Sequence, residues 1–228
     1  MDYIATNLET SLAGSDSPEQ RDTQVRKLLQ EIVKEHRRIV FDGDNYSQEW
    51  HEEAEKRGLP NLRTTADALP ILTNPASLEL FERYGVLSAR ELTARCNVCL
   101  EQYCKHVQIE ARTLVQMLSI QVLPASLRYQ LELSQVVTSA RETSIECSRT
   151  AGRLHDVANL TEALQEAIDT VASAEVFESE DTTLHANHTR DTLLPAMLFA
   201  RTISDQLETL VAEDLWPLPS YTDMLFIR

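Results

Sequence analysis

The chain has 228 residues, of which 43% are apolar and 6% aromatic, with five glycines and a formal net charge of −15. That length fits one large domain or two small ones, and a Gly-poor sequence rich in Ala, Leu, Glu and Arg favours helix over sheet, because these side chains lose little rotamer freedom in a helix. So acidic a chain repels phosphate backbones and anionic lipid surfaces, which argues against nucleic acid or a membrane as a partner.

In chain order, residues 2–12 read as a short helix with Tyr3, Ile4, Leu8 and Leu12 on one side. Gly14 to Pro18 is a break and a restart, in which Ser17 can cap and Pro18 suits the first helical position. A helix over 18–38 follows, with Val25, Leu28, Leu29, Ile32 and Val33 at helical spacing. Ile39 to Phe41 can be extended, and Asp42-Gly43-Asp44-Asn45-Tyr46 reads as a loop. Ser47 starts a short acidic helix through Arg57, closed by Gly58. The stretch 59–75, punctuated by Pro60, Pro70 and Pro75, is expected to be irregular, and a helix over 75–84 ends at Gly85.

Ser88-Ala89-Arg90-Glu91 is a capping box. From it a helical pattern runs to about Leu123, with Leu92, Cys96, Cys99, Tyr103 and Val107 as its predicted inner stripe, and Pro124 as a kink or stop. A second long helix is expected to reach about Ala151, where Gly152 weakens it. A helix follows over 161–175, and a third long one over about 181–214, locally distorted at Pro195. The tail from Trp216 to Phe226 is apolar enough to dock back on the body. The expected fold is all-α: an antiparallel bundle of long helices over 88–228, behind a smaller, loop-rich helical section over 1–87.

The four cysteines, Cys96, Cys99, Cys104 and Cys147, read as reduced thiols, and helix geometry makes a Cys96–Cys99 disulfide difficult. No basic stretch precedes an apolar run at the N-terminus, and no apolar run approaches the roughly 20 residues needed to span a bilayer. A cytosolic location is therefore expected.

Three patterns invite a metal reading and none carries it. On one helix Cys96 and Cys99 share a face, but Cys104 is turned roughly 80° from Cys96, and His106 lies ~10 Å beyond Cys99, so one zinc ion cannot gather them. Cys96 and Cys99 read better as small core residues. His185 and His188 lack partner glutamates, so a solvated or capping role is expected. Asp42-Gly43-Asp44 starts like a calcium loop that Glu53 could close, but Tyr46 and Ser47 stand where a ligand and a glycine are required. Glu49, Glu52, Glu53 and Glu55 form an acidic, solvated helix face. No glycine-rich phosphate loop and no set of nucleophile, base and anion hole is present in the sequence, so no catalytic, cofactor-binding or metal residue is assigned.

The stretch IVFDGDNYSQEWHEEAEKRGLPNLRTTADALP (39–70) is distinctive. So are FERYGVLSARELTAR (81–95), LEQYC (100–104), VLPASLRYQLEL (122–133), DTLLPAMLFAR (191–201) and the ending WPLPSYTDMLFIR (216–228). In order and spacing these resemble the C-terminal region of type III glutamine synthetase. The resemblance implies a family that joins glutamate and ammonia through a γ-glutamyl phosphate, with ATP and divalent Mg or Mn ions, in a large ring-shaped oligomer. It implies that the metal and ATP ligands belong to an upstream catalytic domain, so that no catalytic residue carries over. Expected partners are then that catalytic domain and other synthetase subunits. The opening DYIATNLE resembles the helix that follows the catalytic domain, which places Met1 near a domain boundary. The alternative expectation is a free-standing helical protein that binds or regulates the enzyme.

Overall fold

The structure, a computed structural model, describes residues 2–13, 17–219 and 224–225. It is all-α, with no strand among these residues. By chain contacts it divides into two compact units, residues 1–62 and 63–228.

In the first unit, α1 (Asp2–Leu12) and α2 (Pro18–Glu35) pack as a hairpin. Ser17 caps α2 by accepting from the Gln20 N–H at 3.2 Å. The helix ends sooner than its sequence pattern suggests: Arg37–Ile39 tightens into a 3-10 turn, so Ile39 is not extended. Next comes α3 (Gln48–Lys56), capped by Ser47. The chain leaves it through Gly58, whose φ of +67° only glycine adopts without strain.

The second unit begins with residues expected to be irregular. They form α4 (Thr65–Ala68) and a 3-10 turn over Leu69–Thr73. The missed signal is Thr64, which caps by accepting from the Asp67 N–H at 3.2 Å. Then come α5 (Pro75–Arg83), closed by Gly85 at φ +62°, and α6 (Ala89–Met117), opened by the complete Ser88–Glu91 capping box. The 3-10 turn and α5 both pack on α6, so residues from Arg63 onward share one compact unit with the long helices.

Pro124 does not stop the helix. Residues Leu118–Val122 form a π turn that runs directly into α7 (Leu123–Glu142), and the Leu123 N–H donates to the Leu118 carbonyl. A proline lacks an N–H and crowds the carbonyl four residues back, and the wider turn absorbs both defects. The same device recurs before Pro195: α9 (Thr182–His188), a π turn over Thr189–Leu193, then α10 (Leu194–Glu208). A Leu-Pro-Ala sequence follows both π turns, at Leu123 and at Leu194. The true break after α7 lies at residues 143–147, where Ser144 takes φ +58°. Consequently α8 (Ser148–Glu175) begins before Gly152 and encloses it, whereas the sequence pattern runs the preceding helix to Ala151. The third long helix ends at Glu208 and not near 214.

The helical run α6–α7 lies antiparallel to α8. Arg153, near the start of α8, donates to the Tyr129 hydroxyl at 3.4 Å, and Gln108 donates to the Glu175 carbonyl at the other end at 3.2 Å. The α9–α10 run returns along α8, which is thus packed on both α7 and α10. Leu164, Val157, Val171, Leu193 and Leu207 are fully buried in the common core. Trp216 and Leu218 pack against it as expected of the tail, but Met224 and Leu225 are exposed, and Phe226 lies outside the described residues.

Candidate functional site

The inner face of α6 is Leu92, Cys96, Leu100, Cys104, Val107 and Ala111. This stripe is rotated from the sequence reading, because it steps by four residues through Leu100 and Cys104 where the pattern suggested Cys99 and Tyr103. Cys99 is therefore exposed, and Cys104, not Cys99, is the second core thiol. The Cys96 thiol donates to the Leu69 carbonyl at 3.3 Å. Burial pushes both the Cys96 and the Cys104 thiol above the usual range, which makes them poor nucleophiles and poor metal ligands. Cys147 stands at the N-cap of α8 without a capping bond from its side chain.

His185 and His188 serve packing and capping. His188 stacks on Phe177 with ring centroids 4.0 Å apart, and its Nε2 lies 3.0 Å from the Ala174 carbonyl in the last turn of α8. His185 meets the same ring edge-on at 5.9 Å. Both histidines are half-buried against Phe177 of the 176–181 connection, so of the solvated or capping role expected, His188 takes the capping one. In the 42–53 loop, the Asp44 carboxylate accepts the Tyr46 N–H at 2.9 Å, and Glu53 takes the Arg57 guanidinium at 2.7 Å. These two oxygen groups are thus engaged in a turn and an ion pair. Arg57 also donates to the Val40 carbonyl at 2.7 Å, which pins the loop to α3. Among the described residues no three His, Cys, Asp or Glu side chains converge on a point that could hold an ion.

A polar cluster joins segments far apart in sequence. Arg190, displayed by the second π turn, pairs with Asp67 at 2.5 Å and with its neighbour Asp191 at 2.7 Å. Thr64 donates to the other Asp67 oxygen at 2.6 Å. The bond from Arg190 holds the Asp191 carboxyl below the ordinary range, and burial raises the nearby Tyr103 phenol. Every member is engaged with another, so the cluster clamps α4 to the bundle and presents no free base or acid. Local sequence patterns could not reveal it, since Asp67 and Arg190 are separated by most of the second unit.

Two of the concavities in the second unit bear on its role. A polar cleft of about 300 Å³ lies between α6 and the 178–182 connection, with Glu101, Lys105, Glu178 and Glu180 on its walls. Glu101 and Lys105 face each other across one turn at 3.7 Å. A larger cleft of about 680 Å³ between α5 and α6 is walled by Leu72, Phe81, Leu87, Leu92 and Val98. Cys104 and His185 also line the first, but the Cys104 thiol is buried and burial holds its proton, which leaves it a poor nucleophile, and the second has little polarity. The arrangement suits packing and docking better than bond chemistry.

Comparison with known proteins gives this helical architecture its place. The family description "Glutamine synthetase C-terminal domain" matches residues 24–141. The chain belongs to that family. It is 32% identical over 218 residues to the type-3 glutamine synthetase of Dictyostelium discoideum, covering 91% of this chain and 29% of that protein. It is 28% identical over 222 residues to a glutamine synthetase of Butyrivibrio fibrisolvens, covering 89% of this chain and 30% of the relative. The chain thus spans about 30% of the length of the relatives it matches. No described helix is long and apolar enough to cross a membrane.

Proposed function

We propose that the chain acts as the C-terminal helical domain of a type III glutamine synthetase, supporting and assembling the enzyme while supplying no ligand to ATP, metal or the reacting phosphate. The observation that carries this reading is the coverage: nearly all of the chain matches relatives of which it accounts for about 30%. The clamped or buried state of its polar clusters supports the same reading. Phosphoryl transfer depends on metal ions and cationic groups positioned on the phosphates, and Arg190 is committed to Asp67 and Asp191. ATP, Mg or Mn, glutamate and ammonia belong on this reading to the remainder of a synthetase, and the domain's partners are that remainder and neighbouring subunits. Purified chain supplied with ATP, Mg or Mn, glutamate and ammonia should form no glutamine and no γ-glutamyl hydroxamate. Turnover that co-purifies with the chain and survives repurification would overturn the proposal.

A further inference from the structure

We infer that the cleft between α5 and α6 is the seat for an apolar segment of the synthetase's N-terminal portion. This rests on the reading just proposed and adds the surface through which it operates. The cleft is walled by Leu72, Phe81, Leu87, Leu92 and Val98, in a hollow of about 680 Å³. Val98 in this lining is more than half exposed. A contiguous apolar patch of this kind marks an interaction site, whereas single exposed apolar residues do not. Elsewhere in the second unit, Val136 and Ile145 are exposed on α7 and just beyond it and line none of the hollows described above. Gly85, at φ +62°, turns the chain between α5 and α6, and the capping box at Ser88 fixes where α6 starts. The occupant follows from length and position. The cleft falls inside residues 24–141, the stretch matched to a C-terminal domain, and the relatives carry about 70% of their length outside the part this chain matches. A partner present whenever such a domain is built in is that remaining length. An apolar cluster seated in the cleft removes Val98 and its neighbours from water, and Arg95 on the rim offers a cation to a carboxylate bordering it.

Cys99 makes the inference testable, because it lines the cleft and is exposed. A chimera in which this chain replaces the matching C-terminal stretch of the Dictyostelium discoideum type-3 enzyme is labelled with iodoacetamide beside the chain alone. The extent of labelling at Cys99 and at Cys147 is read by mass spectrometry. In a chimera that makes glutamine, Cys99 should label at least ten-fold more slowly than in the free chain. Val98→Asp in the chimera should restore the fast rate, and Val136→Asp should not. An active chimera whose Cys99 stays as reactive as in the free chain overturns the docking surface and leaves the proposed function standing. So does protection that Val98→Asp leaves intact. A chimera that neither assembles nor makes glutamine overturns both.

Discussion

The two compact units use the same raw material to different effect. Among the described residues of the first, only Leu28 and Ala54 are buried. In the second, one core runs from Val107 on α6 to Val211 beyond α10. Yet α2 carries an apolar stripe as regular as any in the bundle. Of Val25, Leu28, Leu29, Ile32 and Val33, only Leu28 is buried, while Leu29 and Val33 are exposed. A two-helix hairpin covers one side of each helix, whereas α8 is covered on two sides, by α7 and by α10. Helical spacing reveals which face requires a partner; it does not reveal whether the partner is present.

The strongest way to break this contrast is to truncate one core residue in each unit. Leu164→Ala removes a fully buried side chain from the middle of α8 and should cost about 3–5 kcal/mol. Leu28→Ala, in a shallow contact that can collapse, should cost about 2 kcal/mol or less. Urea unfolding followed by circular dichroism measures both, and equal losses would show that the first unit has a core of comparable worth. Hydrogen exchange sharpens the point: amides of α1 and α2 should exchange well ahead of those around Leu114. If residues 2–12 exchange as slowly as α6, the hairpin is not the weaker element.

Alkaline pH should separate the units next. Cys96 and Cys104 lie in the second unit, and burial raises both thiols above their ordinary range. A raised folded value means that the unfolded chain gives up these protons first. The associated stability is fully present below an unfolded thiol value of about 8.5 and is lost as pH climbs through the folded value. Urea midpoints for the second unit should therefore fall from about pH 8.5 upward, and Cys104→Ala should flatten that decline although it lowers stability at neutral pH. An unchanged slope in Cys104→Ala would assign the alkaline loss to other groups, Tyr103 first among them.

The all-α class, the Ser17, Ser47 and Ser88 caps and the glycine stops were legible because each is a local rule acting over three or four residues. The errors share a cause as well. Proline chemistry predicts a kink or stop at Pro124 and a local distortion at Pro195; a π turn precedes each, so the distortion at Pro195 is present and the stop at Pro124 is not. Helical spacing puts Cys99 inside because a step of three and a step of four both suit a helix, and only packing against Leu69 and Ala186 selects Leu100 and Cys104. The Arg190–Asp67 clamp is a long-range pair that local spacing does not encode. The Ser88 cap offers a test at moderate scale. Ser88→Ala removes the acceptor for the Glu91 N–H and should cost about 1 kcal/mol. A loss below a few tenths, by urea unfolding, would mean that the N-terminus of α6 is fixed by packing alone.

The smallest effects should differ in sign, not size, between the units. Gly152 was expected to weaken a helix near its end, but it sits inside α8, and a Cβ built there meets nothing within 4 Å. Gly152→Ala therefore gains the helical preference of alanine without a clash, and should stabilise the second unit by about 0.5–1 kcal/mol. Gly58, in the first unit, is equally open to a Cβ, yet its φ is +67°. There the obstacle is the backbone itself, and Gly58→Ala should destabilise by about 1 kcal/mol. Thermal melts of the two variants beside the parent decide the matter. If both substitutions lower the midpoint, the start of α8 is not at Ser148, and the break between α7 and α8 belongs nearer Ala151, where helical spacing alone had put it.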